Sequence, residues 1–231
     1  MNSATISADI ISYTSLPEKE KRSIEAKIKQ FLANLQETYI EQQFYGRLVQ
    51  GDYIECALNS PVYSLRIALL IKTLIKSINL NTHHTKKQKL KYFFQHGARI
   101  AVAVAPLSQL DPKAGIIDGE AIYLSGRTIK KHSTSDKQKI VIKNTLFFLS
   151  NDQYLQEQME AIFYLLDTLL SKCSAKQSEV VFYKLQNLSE KEISKKLNKY
   201  QSTISQHSTA AGWNAIEKTI NYFEKHIKSW K

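Results

Sequence analysis

Residues 188–207, LSEKEISKKLNKYQSTISQH, decide how the second half of the chain is read. Ser189 followed three positions later by Glu192 is a capping box: the hydroxyl accepts from the amide at 192 and the carboxylate returns to the amide at 189. A helix therefore starts here. Ile193 and Leu197, four apart, share its inner face, and Asn198 can take the left-handed conformation that ends it. A second helix opens near Gln201 with Ile204 as its inward anchor. The expectation is a short helix, a tight turn and another helix, inside an all-α segment spanning 174–231.

When such a pair docks on DNA, the second helix enters the major groove and its outward N-terminal side chains reach base edges. Here those are Gln201, Ser202, Thr203, Ser205 and Gln206, while Lys195, Lys196 and Lys199 stand where phosphates would be met. The stretch 192–207 resembles the helix-turn-helix of bacterial regulators and sigma-like factors, commonly E-I-A-x-x-L-G-x-S-Q-S-T-V-S-R-H. It departs from that pattern at Asn198 for the turn glycine, Lys199 for an apolar turn residue and Tyr200 for a small capping residue. A three-helix bundle used for protein contacts is the other reading of the same residues.

The whole chain carries a net charge of +11, from 32 lysines and arginines against 21 acids, which attracts polyanions without specifying one. Part of the excess lies in expected loops at 83–91 and 130–139. No apolar run is long enough to span a bilayer and the N-terminus lacks a secretory pattern, so the expectation is a cytoplasmic protein without a membrane partner. Cys56 and Cys173 have no metal-type spacing and read as buried, reduced thiols. His83, His84, His96 and His132 show no ligand pattern and read as surface residues.

Upstream, the spacing predicts a strand at 5–11 and a helix at 18–39, whose Ile24, Ile28, Phe31, Leu32, Leu35 and Tyr39 form one apolar stripe. Strands at 44–49 and 53–58 flank a Gln50-Gly51-Asp52 turn, and a helix at 61–79 faces inward through Leu65, Ile67, Leu70, Ile71, Leu74 and Ile78. ARIAVAVA at 98–105 reads as a strand buried on both faces and ended by Pro106. A loop, a helix at 119–131, a strand at 139–142 and a long helix at 152–170 follow. The order βαββαβ is the ferredoxin-like arrangement, an antiparallel sheet with both helices on one face. Its other face needs a cover, either a second copy across a dimer or the helix at 152–170. The expected fold class is α+β: a ferredoxin-like domain over 1–148, a linker helix over 149–173 and the helix-turn-helix domain over 174–231.

Three motifs in that first domain resemble class III nucleotide cyclases. SADIISYTSL at 7–16 is similar to their first strand and turn, F-A-D-I-x-G-F-T-x-L; Gly51-Asp52 matches the G-D of their hairpin; and GEAIYLSGR at 119–127 is similar to G-x-x-V-N-x-A-x-R. The resemblance implies that Asp9 and Asp52 would hold Mg²⁺ or Mn²⁺ against a triphosphate, carboxylates being hard ligands suited to such ions. It also implies that Arg127 would stabilise the transition state from across a dimer interface, and that Thr14 and Tyr123 occupy nucleotide-binding positions. Three departures bear on activity: Tyr123 replaces the ribose-orienting asparagine, Leu48 the purine-reading lysine and Ser12 the turn glycine; Arg47, next to Leu48, is no obvious replacement because neighbouring strand residues point to opposite faces.

Taken whole, with a cyclase-like domain, the LLDTLLSK linker helix, then KQSEVVFYKLQ and a QSTISQ…AAGWNAIE tail, the chain is similar to the SatD-like family of bacterial proteins. The expected function is a DNA-binding regulator whose cyclase-like domain is non-catalytic and serves nucleotide sensing or homodimerisation. An active metal-dependent cyclase and a structural adaptor are the alternatives.

Overall fold

Alternation along one strand sorts the molecule into layers. The structure is a computed structural model and describes residues 2–80, 90–136 and 142–230. β1 (Ser3–Ile10) sends Ala4, Ile6, Ala8 and Ile10 to one side and Thr5, Ser7 and Asp9 to the other. It sits at the centre of a five-stranded sheet with β2 (Tyr45–Val49), β3 (Tyr53–Leu58), β4 (Ala98–Ala105) and β7 (Leu146–Ser150), in the order β2-β3-β1-β4-β7. The first four strands are antiparallel to their neighbours, but β7 runs parallel to β4, so the sheet is mixed rather than purely antiparallel.

On the Ile6 side lie α1 (Glu18–Thr38), through Ile24, Ile28, Leu32 and Leu35, and α2 (Ser64–Ser77). The sequence assigns α2 one inward face; the structure buries almost all of it, as expected of a helix sandwiched between layers. α5 (Gln153–Lys172), capped by the Asp152 side chain on the Leu155 amide (3.0 Å), lies on the same side through Leu155, Met159, Phe163 and Leu166. So do Val181 and Leu185 of α6 (Ala175–Leu185) and Trp213, Ile216, Ile220, Phe223 and Ile227 of α9 (Trp213–Ser229). One continuous core therefore joins the sheet to the C-terminal helices. Arg66 on α2 reinforces the joint, donating to both Glu224 oxygens of α9 (2.7 and 3.2 Å) and to the Leu185 carbonyl of α6 (3.2 Å).

The opposite face is covered by α4 (Glu120–Asp136) and not by α5. Small residues explain the fit. Ala121 packs on Ala103 and Ala105, Ile129 on Ala101, and Ser125 Oγ bonds the hydroxyls of Thr5 (3.0 Å) and Ser7 (2.9 Å). The polar positions of β1 on this face are thus satisfied by a hydroxyl of the covering helix.

Four further departures from expectation are local. The loop after Pro106 contains a hairpin, β5 (Gln109–Asp111) with β6 (Ile116–Asp118), and a short helix, α3 (Lys91–His96), precedes β4. The strand expected at 139–142 falls outside the described residues except for Ile142, which is not in a strand; the last strand is β7, further along. The expected basic stretch at 83–91 and the pair His83 and His84 lie almost wholly outside the described residues. His96 is buried rather than at the surface, in a polar cluster among apolar layers. There the Lys72 ammonium, 1% exposed, bonds Thr145 Oγ1 (2.7 Å) and the Ala98 carbonyl (3.0 Å) and pairs with Asp167 (3.2 Å). The Thr145 hydroxyl in turn donates to Asp167 (2.7 Å).

Candidate functional site

The sheet edge, the β2–β3 hairpin and α4 enclose a cleft of 660 Å³ lined by Asp9, Asp52, Glu55, Tyr123, Arg127 and Lys130, among others. Asp9 reaches it because the odd positions of β1 face α4; Asp52 reaches it because the hairpin folds back, its carbonyl accepting from the Ile10 amide (3.0 Å). Gln50 and Gly51 both have positive φ, and a Cβ on Gly51 would sit 2.9 Å from Glu25 Oε1 and from the Tyr13 hydroxyl. The glycine therefore sets how closely the tip approaches the helix. Ser12, where the cyclase pattern has glycine, still adopts a left-handed conformation (φ 60°), at a cost of about 1 kcal/mol for a non-glycine residue.

The structure brings Asp9, Asp52, Tyr123 and Arg127 of one chain around this cleft, so Arg127 faces it from its own subunit. Thr14 is exposed on the turn after β1 and does not line it. Tyr123, half exposed, donates its hydroxyl to Asp118, and the Arg127 guanidinium lies over its ring at 5.7 Å. Arg47 and Leu48 take opposite faces, but the other way round from what the resemblance implies: Arg47 pairs with Glu55 of the cleft lining (2.8 Å from Nε), while Leu48 joins the core and is turned away from the cleft.

Arg99 is the residue that sequence reasoning missed. It pairs in register with Asp9 across β1 and β4, and its Nη1 touches both carboxylate oxygens, at 2.8 and 2.6 Å. The signal was present: a lone charge in the apolar run ARIAVAVA has to find an anion. Burial lifts the Asp9 carboxyl above its usual range and the guanidinium opposes that lift; Asp52 is raised too, by burial and then by Glu25. The expected metal ligands therefore do not stand as two open carboxylates, because Asp9 already has a cationic partner.

A second surface lies at the C-terminal end. α7 (Glu190–Leu197) begins at the capping box, with the Ser189 amide donating to Glu192 (2.7 Å) and the Glu192 amide to Ser189 Oγ (3.3 Å). It ends at Asn198, which is left-handed (φ 50°), and the Lys199 amide closes the turn on the Ser194 carbonyl (2.9 Å). α8 (Gln201–Ala210) follows from Tyr200, which is extended, lacks a side-chain cap and is 84% exposed. Ile204 anchors α8 on Ile193 and Val180, a small core of α6, α7 and α8 with Tyr183, Leu188 and Leu197 around it. Gln201, Ser202 and Gln206 are exposed; Thr203 and Ser205 are half-buried. Lys195 and Lys199 are exposed beside them, and Lys196, also exposed, lies over the Tyr183 ring at 5.4 Å. No protein-family model matches the chain, and no curated protein matches it in sequence.

Proposed function

We propose that this chain is a DNA-binding regulator. α7, the Asn198 turn and α8 form a helix-turn-helix, with α8 as the recognition helix. The observation that carries this reading is the outward polar row Gln201, Ser202, Ser205 and Gln206 on a helix held from behind by Ile204 and flanked by Lys195 and Lys199. Glutamine can bond adenine bidentately, and lysines at the adjacent turn can take phosphates. The N-terminal part is a ferredoxin-like relative of the class III cyclases, built for nucleotide sensing or homodimerisation rather than catalysis. Its strand order β2-β3-β1-β4, with α1 and α2 on one face, supports that assignment.

The test is selection of bound sequences from random duplex DNA, then salt titration of the best one by fluorescence anisotropy. Gln201→Ala and Gln206→Ala relax base preference, whereas Lys195→Ala weakens all sequences alike and reduces the salt slope by about one unit. No affinity at low salt, or three variants indistinguishable from wild type, overturns the reading. A metal-dependent cyclase is favoured by the convergence of Asp9, Asp52 and Arg127 on one cleft, and opposed by the Asp9–Arg99 pair.

A further inference from the structure

We propose that Arg99 is a resident cation that takes the place of a divalent metal at Asp9, so that the N-terminal cleft works without a metal ion. This rests on reading the cleft as a relative of cyclase sites and not on DNA docking; its failure leaves the DNA reading untouched.

The pairing is built into the sheet. Asp9 and Arg99 are register partners on adjacent strands, both on the α4 side, and Nη1 lies between the two carboxylate oxygens. Arg99 is 4% exposed, so its charge cannot turn away into water. A metal at Asp9 would have to displace this cation or sit against it, and either is electrostatically unfavourable. The neighbouring acid is matched in the same way, Glu55 by Arg47 at 2.6 Å. Asp52 is then the one of the three cleft carboxylates without an ion pair among the described residues, too few hard ligands for Mg²⁺ or Mn²⁺. Across the cleft, Arg127 and Lys130 add positive charge.

Mn²⁺ binding to the full chain at pH 7, followed by electron paramagnetic resonance, tests this. Wild type and Asp9→Asn are expected to give the same isotherm. Arg99→Leu uncovers Asp9 beside Asp52 and gains a Mn²⁺ site, tightening binding about tenfold or more, and Arg99→Leu/Asp9→Asn loses it again. A wild-type Mn²⁺ site that Asp9→Asn abolishes overturns the proposal, as does a folded Arg99→Leu that binds no better than wild type. Should Arg99→Leu fail to fold, thermal melting decides. Wild type and Asp9→Asn with equal responses to Mn²⁺ support the proposal, and a Mn²⁺-dependent rise in Tm present only in wild type refutes it.

Discussion

His96 is expected to draw stability from this fold in mild acid. The ring is buried at the end of α3, 2% exposed, and its Nε2 has no hydrogen-bond partner among the described residues. Burial, and then the Lys72 ammonium, depress its pKa from 6.5 to about 4. The unfolded chain therefore binds a proton first as pH drops, and stability present above pH 6.5 drains away toward pH 4. With these two values the loss is about 2 kcal/mol by pH 5 and about 3 kcal/mol in the limit. Asp9 and Asp52, raised by burial, act in the opposite sense, so the His96 contribution is read as a difference between proteins. The assay is urea unfolding at pH 7 and pH 5, followed by tryptophan fluorescence, since Trp213 is buried in the core. His96→Phe keeps a planar ring and removes the titration, and it should lose about 2 kcal/mol less than wild type over that interval. Equal losses in the two proteins would refute the argument.

Two other perturbations test the layers around the cleft. Lys72→Met should cost about 3–5 kcal/mol, because it leaves Asp167 buried without its cation, and Lys72→Met/Asp167→Leu should cost less than the sum of the single changes; additive losses in denaturant unfolding would show that the pair is not coupled. Gly119→Ala should lower the melting temperature sharply, since φ there is +131° and a Cβ would lie 2.5 Å from the Ser108 amide nitrogen and 2.7 Å from Leu107 Cα; a variant that melts like wild type would contradict the backbone path into α4.

Much of the local structure was legible because its causes are local. The capping box at Ser189, the left-handed Asn198 and the stripe on α1 each need only residues within a turn or two of one another, and each is found where the sequence puts it. β4 was legible for a related reason: seven small and branched residues out of eight, broken only by Arg99, have nowhere to go but the middle of a sheet. β7 went unread because a short apolar run has no periodicity to fix it, and the partner that defines it is β4, more than forty residues away in sequence.

By itself, then, the sequence determined the strands β1 to β4, the long helices and the α7–α8 turn. Only the tertiary structure decided what they face. Whether Thr5 and Ser7 meet water or Ser125, whether α2 shows one face or none, and whether Asp9 is open or held by Arg99 all depend on which distant surfaces are pressed together. The physical reason is that a polar side chain's fate is set by the partner that replaces its water, and that partner here lies 90 to 120 residues away.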